Sequence, residues 1–179
     1  GHPRSHPRKG IFCRDFPRRH PAAIDLRMVI AMSKANTDLE RIGDEATKIA
    51  RVAQKIYESD RMYKPRFNEI TSMVALVREM LRTSLDAFAR LDVTKTVEVA
   101  RQDEQVDEQF RAAMRQLITF MLEDPRTISM SLEVLFVAKA IERIGDHAKN
   151  IAEYVVYMVK GKDVRHTTVA EMERETLAP

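Results

Sequence analysis

Three pairs of acidic residues stand four positions apart within helical patterns of this chain: Glu40 and Asp44, Asp103 and Asp107, Glu142 and Asp146. Residues four apart on an α-helix lie one above the other, so each pair presents two carboxylates on one face. Two of the pairs belong to a repeated sequence. Glu-Arg-Ile-Gly-Asp occurs at residues 40–44 and again at 142–146, and both copies continue into x-Ala-x-x-Ile-Ala. Residues 39–50 and 141–152 agree at eight of twelve positions. Each copy sets a glycine, Gly43 or Gly145, between its acids, at a cost of roughly 1 kcal/mol relative to Ala in a helix interior. The duplicated glycine predicts close approach there, either of a facing backbone or of an ion held by the carboxylates.

Cation binding is the chemistry these acids could do. Asp103 falls in an apolar stripe, where an uncompensated carboxylate is costly. Asp107 precedes Asp124 by 17 residues and Glu142 follows it by 18. A tight turn at Asp124-Pro125 therefore brings the two pairs to the same height on antiparallel neighbours. Four carboxylates meeting there repel unless a cation neutralises them, and an oxygen-only set suits hard or borderline divalent and trivalent metals. The candidate ligands are Asp103, Asp107, Glu142 and Asp146, with Glu40 and Asp44 as half of a second site, and His147 and Asn150 adjacent to the first. The competing reading is a solvated acidic face, because Glu142 and Asp146 border their apolar stripe and do not centre it. No Ser/His/Asp or Cys/His set appears, and no inward Glu-x-x-His repeats as it does in carboxylate-bridged di-metal bundles. Binding is expected rather than catalysis.

The elements that carry these acids read as helices throughout. Pro21 suits a first helical turn, and Leu39, Ile42, Ala46, Ile49, Ala53 and Ile56 follow at 3-4 spacing to about residue 59. Pro65 opens a second helix with Ile70, Met73, Val77, Met80, Leu81, Leu85 and Phe88 on one side, ending near Leu91. Asp92 is an N-cap type, and the third helix carries Val99, Asp103, Val106, Phe110, Ala113, Leu117 and Phe120. The last carries Ile141, Ile144, Ala148, Ile151, Val155 and Met158, with Gly161 as a left-handed stop. Residues 65–161 thus form a complete three-helix bundle with short turns, residues 21–60 correspond to the third helix of another, and residues 162–179 read as a polar, frayed tail.

Composition agrees with an all-helical chain: five Gly, no Trp and ten Met in 179 residues. There is no run of 18 apolar residues to span a membrane, and one cysteine, Cys13, excludes an internal disulfide. The pI of 9.1 is misleading. Residues 1–20 hold six basic side chains against Asp15, a net of +5, so the remaining residues sum to −2 of the total +3. Charge argues against a nucleic-acid partner for the body. The proline-broken tail itself reads as disordered or aberrant, and its His2 and His6 as solvated.

The runs at residues 21–27 (PAAIDLR), 37–46 (TDLERIGDEA) and 141–153 (IERIGDHAKNIAE), with Asp-Glu-Gln-Val-Asp at 103–107, closely resemble the PhoU family of phosphate-uptake regulators, over about residues 18–163. The resemblance implies tandem three-helix bundles, a cytoplasmic location, frequent homodimers, and metal ions (iron, zinc, manganese or magnesium) held by Glu/Asp-x-x-x-Asp motifs. It further implies negative regulation of the phosphate-starvation response, between a phosphate ABC transporter ATPase and a sensor histidine kinase. Family members carry two more helices before the region at Pro21, including an acidic motif complementary to Glu40 and Asp44. A truncated or misread start would leave that first site half built. It would also leave the first helix short of partners, so that it either self-associates or docks on the complete bundle in an arrangement unlike the family's. A metal-free helical scaffold and, less favoured, a metalloenzyme are the alternatives.

Overall fold

The computed structural model describes residues 21–58, 68–165 and 167–177. The expectations for residues 1–20, and for Pro65 as a helix opener, lie outside those residues. The described chain is helical: α1 Pro21–Glu58, α2 Asn68–Arg90, α3 Thr94–Glu123, α4 Ile128–Lys160 and α5 Val169–Leu177.

Local chemistry sets the helix ends. Asp92 Oδ1 accepts from the Thr94 backbone N at 3.0 Å and from its hydroxyl at 2.6 Å, satisfying a free donor at the start of α3. Asp124 caps a single 3-10 turn, Pro125–Thr127, that precedes α4. Gly161 closes α4 at φ 71°, a left-handed cap whose N–H reaches Tyr157 O.

Helices α2, α3 and α4 pack against one another. Their shared core joins Met73, Val77 and Met80 to Val99 and Val106 and to Ile141, Ala148 and Ala152. Helix α1 lies antiparallel on α4: Asp38 is level with Asn150, Glu45 with Arg143, and Lys55 with Glu133. Its 38 residues span about 57 Å at 1.5 Å per residue, a length that needs tertiary support. Ala31, Ala35 and Ile42 supply it by packing against Ile151, Tyr154, Val155 and Met158.

Two expectations change here. The buried face of α1 is turned from the predicted stripe: Ala31, Ala35, Asp38, Ile42 and Glu45 face inward, whereas Leu39, Ala46 and Ala53 are exposed. Asp38 and Glu45 hide the true face from a hydrophobic pattern, because their compensating partners lie on α4. The second change is at the C-terminus. Residues 169–177, expected to fray, form α5, which packs on α3 and buries Met172 with Val164 against Ala100 and Val156. Thr168 and Glu171 make a reciprocal capping box, N–H to Oε2 at 2.8 Å and N–H to Oγ1 at 3.3 Å. The Thr-x-x-Glu spacing was the signal.

Candidate functional site

Helices α3 and α4 bring the two predicted acid pairs together electrostatically. Asp103 is 8% exposed, Asp107 and Glu142 are half-buried, and Asp146 stands at the solvent edge. The Asp146 carboxyl is pushed up to about 6, first by desolvation and then by the charges of Glu142, Asp103 and Asp107.

Two lysines answer part of that field. Lys149 Nζ donates to Asp103 Oδ2 at 2.8 Å, and Lys139 Nζ donates to Glu142 Oε1 at 2.7 Å. Lys139 also lies 5.3 Å from the Phe110 ring centroid, a cation–π contact that holds it on this face. Glu142 Oε2 is buried and makes no hydrogen bond of acceptable geometry, although Lys139 Nζ is 2.6 Å away. Four carboxylates against two ammonium groups leave a formal charge of −2, concentrated at Asp107 and Asp146, which have no cationic partner among the described residues. An all-oxygen set with a residual −2 fits a hard divalent cation in donor chemistry. It is not a closed chelate: no three His, Cys, Asp or Glu side chains among the described residues stand close enough to hold an ion. Lysine ammonium groups occupy two of the carboxylates a metal would use.

Glu40 and Asp44 are placed differently. Both are exposed on the face of α1 turned away from α4, where Asn36 Nδ2 donates to Glu40 Oε1 at 3.2 Å. A Cβ at Gly43 would meet nothing within 4 Å. The glycine of the second copy faces α2, not the acids: a Cβ at Gly145 would lie 3.5 Å from Val77 Cγ2 and 3.8 Å from Met80. Of the two alternatives expected at Gly145, a facing helix or an ion, the helix stands there, at a distance that would leave an added Cβ in ordinary van der Waals contact.

His147 and Asn150 also serve another site. Asp38 is 3% exposed, yet its carboxylate accepts from His147 Nδ1 at 2.7 Å, Tyr154 Oη at 2.7 Å and Asn150 Nδ2 at 3.3 Å. A carboxylate offers only acceptors, so Nδ1 carries the hydrogen. Burial first, and then the Asp38 bond, hold the Tyr154 phenol above its ordinary range. Glu45 is likewise buried, between Lys48 at 2.9 Å and Arg143 at 3.3 Å. Sequence reasoning missed Asp38, Glu45 and Glu153, because an acid at a helix border looks solvated until its partner helix is placed.

Glu153 is 5% exposed. Burial pushes its carboxyl from 4.5 up to about 7, with Lys149 opposing the rise. The folded chain therefore holds a proton that the unfolded chain has released between those pH values. Stability contributed by this group falls as pH rises through that window, and a constant cost remains above about 7. Glu153→Gln should raise stability at pH 8 by at most about 3 kcal/mol, with little gain at pH 4.5. Urea unfolding of both proteins in phosphate-free buffer at the two pH values checks this; an equal shift at both would contradict it.

Fold and acid pairs together define an all-helical bundle with carboxylate-bearing helix faces. The PhoU domain matches residues 12–53 and 70–155, and the chain belongs to the PhoU family. The match begins at residue 12, ahead of the expected start at 18, so part of the supposedly aberrant tail lies within the family pattern. The chain is 48% identical over 163 residues to the phosphate-specific transport system accessory protein PhoU homolog of Pseudomonas putida, covering 90% of this chain and 63% of that protein. It is 42% identical over 161 residues to the PhoU accessory protein of Escherichia coli K12, covering 90% and 66%. It thus spans just under two thirds of the length of these relatives. The crystal structure of PhoU from Pseudomonas aeruginosa superposes with a TM-score of 0.75 at 47% identity, over 81% of this chain and 69% of that one. PhoU from Streptococcus pneumoniae gives 0.71 at 29%, over 79% and 66%.

Proposed function

We propose that this chain is a regulatory adaptor of phosphate uptake that works by binding partners and cations, without catalysis. The observation that carries the reading is 42–48% identity, over about nine-tenths of the chain, to proteins named for the phosphate-specific transport system. The adaptor acts in the cytoplasm between a phosphate ABC transporter ATPase and a sensor histidine kinase, and it represses the phosphate-starvation response. Among the described residues no helix is long and apolar enough to cross a membrane. Asp103, Asp107, Glu142 and Asp146 hold a metal ion (iron, zinc, manganese or magnesium), supported by their residual charge of −2. Glu40 and Asp44 contribute half of a second site on the outer face of α1. Exposed Val29, Met32 and Leu39 on α1 offer apolar surface for a second copy.

The reading is tested in a bacterium lacking its own accessory protein and carrying a starvation-inducible reporter. Expression of this chain should restore low reporter output in high phosphate. Output that stays fully induced, with the chain present and folded, would contradict the adaptor role.

A further inference from the structure

A cavity of about 130 Å³ opens beside α1 and the end of α4, lined by Lys34, Glu153, Tyr154, Tyr157, Asp163 and Arg165. Some of these groups already have partners. The Arg165 guanidinium grips Asp163, with Nε 2.8 and 3.1 Å from the two oxygens and Nη2 also engaged. The Tyr154 hydroxyl is engaged by Asp38. The others have none among the described residues. Lys34 makes no close ion pair, although its charge acts on Asp163; its ammonium stands 6.0 Å from the centroid of the Tyr154 ring. The Tyr157 hydroxyl has no acceptor. Glu153, 5% exposed, makes no hydrogen bond among the described residues, although the charges of Lys149 and Arg165 act on it. A buried carboxyl that no donor meets is costly, and a donor brought into the cavity would satisfy it.

The open groups specify an occupant. Lys34 and the outer edge of Arg165 call for negative charge, Tyr157 for an acceptor, and Glu153 for a group that shares a proton with it. We propose that this cavity binds inorganic phosphate in its hydrogen-bearing forms. Lysine and arginine are the usual phosphate partners. The protonated oxygen of phosphate hydrogen-bonds Glu153, so that one proton lies between the two. Sulfate has the same shape and carries no proton, so above about pH 7, where Glu153 has released its own, a carboxylate facing sulfate leaves two acceptors in contact. Glu153 is then the element that selects against sulfate, an unfavourable contact aimed at the wrong ligand. The cavity has room for one tetrahedral oxyanion and not for a nucleotide. Direct phosphate binding deepens the regulatory reading and rests on it only for its biological meaning, because the binding itself is measured on the isolated chain.

Equilibrium dialysis of the full chain with radiolabelled inorganic phosphate, after chelator treatment and desalting, tests the assignment. One saturable phosphate per chain is expected, with sulfate at least tenfold weaker as a competitor at pH 8, where Glu153 is a carboxylate. Lys34→Met, at an exposed position that leaves the helix intact, should weaken phosphate at least tenfold. Glu153→Gln should bind phosphate while losing most of the discrimination against sulfate, since an amide can donate to either ion. Absence of saturable binding, equal competition by sulfate, or unchanged affinity in Lys34→Met would overturn the site. Any of these, with repression retained in the reporter strain, would remove the phosphate site and leave the adaptor reading standing.

Discussion

Asp38→Ala should lower the melting temperature by on the order of 10 °C. The substitution removes the acceptor of three side chains on α4, among them the buried Tyr154 hydroxyl and the nearly buried His147. Each buried donor left unsatisfied costs about 1–3 kcal/mol. A loss of about 3 kcal/mol, at 2–4 °C per kcal/mol for a chain of this size, gives the expected shift. The damage should concentrate where α1 meets α4, since Asp38 ties those two helices. Amide hydrogen exchange should therefore show α1 losing protection before α2 and α3 do. Asp44→Ala, on the exposed face of the same helix, should change stability by no more than about 0.5 kcal/mol. If the two variants melt together, the buried network is not what fixes α1.

Helix boundaries were the most legible part of this chain, because its punctuation is strong. Asp124-Pro125 and Gly161 mark the ends of α3 and α4 within a few residues, and apolar spacing identifies the inner faces of α2, α3 and α4. The face of α1 was legible only in part. Ile42 belongs to it, but its neighbours in the interface are Asp38 and Glu45, and burial of an acid depends on residues more than a hundred positions away in the case of Asp38. The C-terminal helix was hidden by its polar composition: one buried methionine, Met172, with Val164 nearby, carries too little pattern to register as a period.

Spacing alone was enough to bring Asp103, Asp107, Glu142 and Asp146 into one field, because it needs only the position of the turn. The lysines were not foreseen. Lys139 and Lys149 lie on α4 itself, at three residues from Glu142 and from Asp146, and their engagement depends on rotamers that no spacing rule fixes. The duplicated glycine left two readings open, a facing helix or an ion, for a physical reason. Glycine permits close approach from any direction, and at Gly145 the approaching group is α2.

Metal content measured on the full chain purified without chelator is the most direct test of the carboxylate site. Asp107 and Asp146 carry the residual charge and Asp103 is its most buried member, so Asp103→Ala combined with Asp146→Ala removes ligands from both helices. Because Lys149 loses its partner in that variant, the remaining charge, two acids against two lysines, is zero and no longer attracts a divalent ion. Helix content should be nearly unchanged, and an exposed control, Glu40→Ala with Asp44→Ala, should leave the α3–α4 ion in place. Elemental analysis should find bound transition metal or magnesium in the wild type and in the control, and none at the α3–α4 site in the Asp103/Asp146 variant. Unchanged stoichiometry in that variant, or a wild type that holds no metal when dialysed against each candidate ion, would contradict the account.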